Sequence, residues 1–358
     1  MNPMAQTTLH MREKGGRSKP VTLEDMAKVA GIHSRTVADA LKGTGRVAPA
    51  TRERVLRIAK EMNYVPNAAA RALATGRTGT VAILSGPLSE HFYANMVHLL
   101  ETHLTSSGYE MMLLHTRREV KDLVQATQVS LVDGVIVIGT NHFAEEFHRL
   151  SSHSIGPCVF IDTSSPDFVD HITLDLRPAV EEALHLMLGA GRQRVAYVAN
   201  NRDDASRFEV RMATYLQVME EAGRAPEIID VNTHMRPEER IRAIKTYIAE
   251  NGCPDALLCQ NDETAIYTYR AIVSLGLRLP EDALLVGCDG LPYMEFFDSP
   301  LSTIALPTEE ICVIASQFLQ ARMNAPNIPV QQATLQGRLV VRKSLESQEM
   351  NESAGSRI

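Results

Sequence analysis

The sequence predicts two folds in one chain: a small all-α head built on a helix-turn-helix, and a larger α/β body of parallel sheets in two similar halves. Three observations carry this. Between Thr22 and Met62, three short stretches place apolar residues at helical spacing. From Gly79 onward, short apolar runs alternate with helical patterns, as in parallel sheets covered on both faces. Charge divides at the same place: residues 1–79 hold 14 Lys and Arg against 6 Asp and Glu, the remainder 22 against 37. A basic head on an acidic body points to nucleic acid as the partner of the head, although a merely solvated basic surface has the same charge.

At 358 residues the chain exceeds what one small core needs. With 44% hydrophobic and 22% charged residues it is too apolar to be disordered. No run reaches the roughly 18 apolar residues of a membrane helix. Met1 to Lys19 carries Arg12, Lys14, Arg17 and Lys19 with no apolar stretch after them, so the expectation is a cytoplasmic protein with a loose basic tail. Cys158, Cys253, Cys259, Cys288 and Cys312 show no pairing pattern and no zinc spacing with histidine. They read as reduced, mostly buried thiols, and neither a metal nor another cofactor is expected.

In the head, Thr22 precedes Leu23, Met26, Ala27 and Ala30, one face of a helix, with Asp25 placed to complete a capping box. Gly31 ends it. Ser34 is a second cap candidate, followed by Val37, Ala40 and Leu41, and Gly43 and Gly45 close that helix. A third begins near Thr51 and buries Val55, Ile58, Ala59 and Met62. A tight glycine turn between the first two fits helix-turn-helix geometry, in which the second helix enters the major groove by its first residues. Those are Ser34, Arg35 and Thr36, and Arg35 can pair bidentately with guanine. Asn63 to Ala74 then breaks at Pro66 and turns Ala-rich for barely two turns, too short to be helical alone.

These blocks, Val21 to Ile32, Arg35-Thr36-Val37, Thr51 to Val55 and Asn63 to Asn67, closely resemble the headpiece of the LacI/GalR family of bacterial transcription regulators. The resemblance continues more loosely to about Leu345 and implies a periplasmic-binding-protein-like, effector-binding body. It places Thr22, Ser34, Arg35, Thr36, Asp39, Asn67, Ala70 and Leu73 on the DNA side. Ser34 and Arg35 take base-reading positions, Thr36 lies near phosphates, and Leu73 is a wedge that kinks the central base step. Ala38-Asp39 stands where the family commonly has Ser-Arg. Asp39 can accept from cytosine N4, or pair with Arg35 as an i, i+4 neighbour, which is the simpler reading.

In the body, strands are expected at Thr80–Ser85, Met111–His115, Val135–Gly139 and Cys158–Asp162, and again at Val195–Ala199, Ile228–Val231, Ala256–Gln260 and Leu284–Cys288. Ligands of open α/β sheets sit beyond carboxyl ends of strands, which singles out Ser85, Asp162, Asn261 and Asp289. The resemblance matches Asn261-Asp262 to an Asn-Asp pair, Val286 to Asp289 to a Val-Gly-aromatic-Asp block, and Arg211 to an effector-holding arginine. Asp262 reads as a helix cap, and Arg207 or Arg211 as a surface ion pair where not a ligand. His91, His115, His142 and His234 lack a partner pattern.

No dinucleotide fingerprint, phosphate loop or nucleophile elbow is present, so an enzyme using the cleft is a weak rival. A second rival is a plain solute receptor, which the head argues against. The expected division is a tail at 1–19, head at 20–66, hinge helix and linker at 67–79, body at 80–345 and polar tail at 346–358. The body would cross between halves near 162 and return near 291. The tail lacks a leucine heptad array, so a homodimer on a near-palindromic operator is expected. Its expected control is a small polar, sugar-like effector.

Overall fold

The structure, a computed structural model, describes residues 21–65, 72, 76–114, 132–139, 156–161, 168–200, 210–232 and 235–346. The chain divides into two compact units, Met1–Gly76 and Arg77–Ile358.

Three helices build the head: α1 (Leu23–Ala30), α2 (Ser34–Lys42) and α3 (Pro49–Glu61). Thr22 and Asp25 form the expected capping box, and Gly31 ends α1 at φ 64°, left-handed backbone that favours glycine. Two expectations change. His33 rather than Ser34 precedes α2, without a side-chain cap. The third helix begins at Pro49, before Thr51, because proline's fixed φ suits the first helical turn. Met26, Ala30, Val37, Ala40, Val55 and Ile58 are buried together, with Ala59 and Met62 packed partly against them.

The body contains two six-stranded sheets. The first runs β11-β5-β4-β3-β1-β2, from β1 (Thr80–Leu84), β2 (Glu110–Leu114), β3 (Gly134–Ile138), β4 (Cys158–Ile161), β5 (Asp170–Asp175) and β11 (Gln332–Gln336). The second runs β12-β10-β9-β8-β6-β7, from β6 (Val195–Ala199), β7 (Glu227–Asp230), β8 (Ala256–Cys259), β9 (Leu284–Asp289), β10 (Ser302–Ala305) and β12 (Arg338–Val340). All pairings are parallel except β10 with β12. The helices are α4 (His91–Ser106), α5 (Arg177–Gly189), α6 (Val210–Glu221), α7 (Pro237–Asn251), α8 (Asp262–Ser274) and α9 (Thr308–Asn324). In the second sheet, buried Val, Ile, Leu and Ala from alternate strand positions meet helices on both faces, and in the first sheet α4 and α9 pack on one face.

The sheets correct the expected crossings. Because β5 completes the first sheet and β10 the second, the chain crosses after Asp175, not near 162, and returns after Ala305, not near 291. A third crossing lies at Gly337, between β11 and β12. A Cβ on Gly337 would meet Leu176 and Ile304, so the three crossing segments pack against one another with no room for a side chain. β5 escaped the sequence reading because aspartates stand at both of its ends. Burial of Asp170 becomes tolerable through Arg322 of α9, which reaches its two oxygens at 2.9 and 2.6 Å.

Candidate functional site

On α2, residues advance by about 100° each. Val37 and Ala40 are buried, which leaves Arg35, Asp39 and Lys42 along the opposite, outward ridge. Ser34 and Thr36 flank that ridge, half-buried. The first-turn N–H groups of α2 have no side-chain cap, an arrangement that suits a phosphate. Thr22 is committed to its own helix: its hydroxyl donates to Asp25 Oδ2 at 2.7 Å. The Arg35–Asp39 ion pair does not form. Instead the Asp39 carboxylate lies against the turn after α2, so that a Cβ on Gly45 would come within 3.1 Å of Asp39 Oδ2. Thr44 N–H donates to the Asp39 carbonyl at 3.1 Å and holds that turn in place. Asn67, Ala70 and Leu73 lie outside the described residues.

In the body, polar residues gather beyond the carboxyl ends of β6, β8 and β9. Asn261, not Asp262, is the cap of α8. Its Oδ1 accepts from Thr264 N–H at 2.9 Å and from the Thr264 hydroxyl at 2.7 Å. Asp262 is fully buried and serves another purpose. Its Oδ2 accepts from Leu291 N–H at 2.7 Å and its Oδ1 from the Thr303 hydroxyl at 2.6 Å. Asp289 in turn accepts from the backbone N–H of Asp262. The two aspartates thus clasp the loop after β9, where Asp289 sits at φ 129°. Gly287 is required there, since a Cβ would overlap Asp262 Oδ1.

Burial pushes Asp262 up to about 6, against the hydrogen bonds from Thr303, Leu291 and Gly290 that favour its charged form. Asp289 is raised well above the usual carboxylate range by burial and by Asp262, with Arg211 opposing. Arg211, near the start of α6, also reaches the Cys288 thiol. Arg211 and Asp289 are therefore neighbours. Asn200 N–H is held by Gln260 Oε1 at 2.9 Å, which ties the ends of β6 and β8 together.

The first half contributes from the end of β1. Ser85 is 5% exposed and, among the described residues, its hydroxyl has no hydrogen-bond partner. Tyr93 of α4 covers Gly86 and Gly139, where any side chain would strike its ring. Glu90, at the start of α4, is raised by burial and by Glu263, and lowered by Arg240 and Arg211, all three from the second half. The His91 ring meets Tyr293 edge-on at 5.4 Å, so the two halves touch here. Asp162, Arg207, His115, His142 and His234 lie outside the described residues.

Two nested α/β halves with polar groups at their strand ends, in one chain with a helix-turn-helix, narrow the family sharply. Residues 22–67 match the model "Bacterial regulatory proteins, lacI family". Residues 184–345 match "Periplasmic binding protein-like domain". The chain belongs to the LacI/GalR family. The ribose operon repressor of Haemophilus influenzae is 28% identical, covering 91% of this chain and 99% of that protein. The HTH-type transcriptional repressor PurR of the same species is 27% identical with the same coverage. The lac repressor dimer bound to operator and the anti-inducer ONPF matches with a TM-score of 0.79 and 23% identity, covering 92% of this chain and 100% of that one, a likeness of fold.

This LacI/GalR member is a DNA-binding transcription repressor controlled by a small-molecule effector, and not an enzyme. No helix among the described residues is long and apolar enough to cross a membrane. Sequence reasoning missed Glu90, Asp262 and Tyr293 as cleft-organising residues. Asp262 carried a partial signal, a second acid beside a cap, but its burial against Gly287 and Thr303 comes from strands far apart in sequence.

Proposed function

We propose that this repressor binds a near-palindromic operator as a cytoplasmic homodimer and releases or tightens its hold when a sugar-like effector enters the body cleft. The observation that carries this reading is that Arg211 and Asp289 are neighbours just beyond β9; Asn261 at the end of β8 and Ser85 at the end of β1, its hydroxyl without a partner among the described residues, are proposed to join them. A carboxylate accepts from two adjacent hydroxyls, a guanidinium donates to ring or hydroxyl oxygens, and a serine does either. Neighbouring hydroxyls on a small neutral ring satisfy all three at once. Asp162, which the family resemblance assigns to the effector, is proposed as a further contact. The ribose operon repressor among the relatives fits a ligand of that chemistry.

The functional units are the head at 20–66, a hinge at 67–79 and the body at 80–345. In each subunit Ser34 and Arg35 face base edges, Thr36 and the α2 N-terminus face phosphates, and Thr22 steadies α1 beside them. Asn67, Ala70 and Leu73 belong to the hinge, with Leu73 the wedge in the minor groove. Effector binding changes the angle between the body halves through the three crossing segments. By linkage, operator DNA then alters effector affinity by the same factor. The decisive experiment is capture of genomic fragments by the full-length protein at two salt concentrations, followed by sequencing. Enrichment of one short palindrome is expected. Weak, sequence-indifferent capture that disappears with salt would reject the reading.

A further inference from the structure

We infer that Asp39 is a direct base-reading residue that selects cytosine in each operator half-site. The inference rests on the reading of the head as an operator binder and adds to it a residue, a base and a spacing. Asp39 stands at the centre of the outward ridge of α2, four residues after Arg35 and three before Lys42, opposite the buried Val37 and Ala40. A carboxylate so placed needs a use, because it repels the phosphates that surround a groove-bound helix.

Neither bland use is present. Among the described residues the carboxylate forms no ion pair, with Arg35 or any other cation, and it caps nothing. It lies against the turn at Gly45, where a Cβ on the glycine would come within 3.1 Å of Asp39 Oδ2. The carbonyl, not the carboxylate, holds that turn through Thr44 N–H. The side chain is therefore braced in position and its acceptors remain available.

An ionised carboxylate only accepts hydrogen bonds. On the major-groove edges, guanine offers N7 and O6, both acceptors, and thymine offers the acceptor O4, so both are repelled. Cytosine presents its N4 amine as a donor, without an adjacent acceptor of the kind adenine carries at N7. Arg35 on the same ridge has the complementary preference, for guanine. Four residues along a helix span about 6 Å, close to two base steps of about 3.4 Å each. The half-site should thus carry a guanine and a cytosine about two base pairs apart. Flanking Arg35 and Lys42 offset the repulsion between Asp39 and the backbone.

The test is selection of binding sites from a randomised duplex pool with the full-length protein and its Asp39→Ala and Asp39→Asn variants. The wild type should enrich cytosine at one position of each half-site, and replacing it by thymine should weaken binding on the order of 10- to 100-fold. Asp39→Ala should lose preference at that position alone, keep the rest of the consensus, and bind DNA of any sequence more tightly through loss of a negative charge. Asp39→Asn should move the preference to adenine, which a structural brace would not do. An unchanged consensus in Asp39→Ala, or a uniform loss of affinity with every base preference kept, would overturn the inference alone. Absence of any consensus with the wild type would overturn the operator reading as well.

Discussion

The outward ridge of α2 and the cleft of the body use polar side chains in opposite ways. On the ridge, Arg35 and Lys42 are exposed and Asp39 packs against Gly45. In the cleft, Asp262 is buried with a donor on each oxygen, Asn261 is spent on a helix cap, and Asp289 is fixed by the neighbour it helps to position. A surface that reads a large, charged partner keeps its groups solvated until that partner replaces water. A cleft that recognises a small ligand must hold its groups beforehand, because a small ligand has little contact energy to spend on ordering them. The contrast predicts that changes in the body are felt first as stability, and changes on the ridge first as binding.

The largest effect should follow Arg322→Ala. It strands Asp170, 1% exposed, without its bidentate partner and should cost about 3–5 kcal/mol in urea unfolding of the body. Asp262 offers a pH test. Its carboxyl, at about 6 in the folded protein, binds more protons there than in the unfolded chain between about pH 4 and 6. Stability contributed by this group therefore falls as pH rises through that window, by about 3 kcal/mol. Asp262→Asn should flatten that part of the stability profile, and an unaltered slope would mean that the group is not buried as described.

Smaller effects test the head. Thr22→Ala removes the side-chain half of the α1 capping box, leaving the backbone N–H bond to Asp25, and should cost about 1 kcal/mol, read from the melting of the head. Arg35→Ala should change stability by less than about 0.5 kcal/mol while weakening the selected operator about 10-fold or more. A large loss of stability in Arg35→Ala would erase the contrast between ridge and cleft.

Periodicity made the head and the central strands legible, because each of those elements is amphipathic or uniformly apolar within a single short window. Edge strands were not. Asp170–Asp175 looks like a loop until Arg322 neutralises its first residue and Gln331 donates hydrogen bonds to it, and Gln332–Gln336 has only two apolar positions. Part of the cleft was legible for a different reason: Ser85, Asn261 and Asp289 stand just after apolar runs. The roles within it were not. The helix cap was expected at Asp262 and is made by Asn261, since adjacent polar residues at a helix start share one local pattern while only one of them faces the sheet.

The sequence by itself determined where helices and parallel strands form, that a basic reader is joined to an acidic body, and which strand ends carry polar groups. Local backbone preference and the burial of apolar side chains act over a few residues, so these features need no distant partner. The tertiary structure decided where the chain crosses between halves, why Gly287 must lack a side chain, and that Asp39 packs against the turn at Gly45. Each of those depends on atoms brought together across the fold, where burial turns a small difference in distance into a large difference in electrostatic free energy.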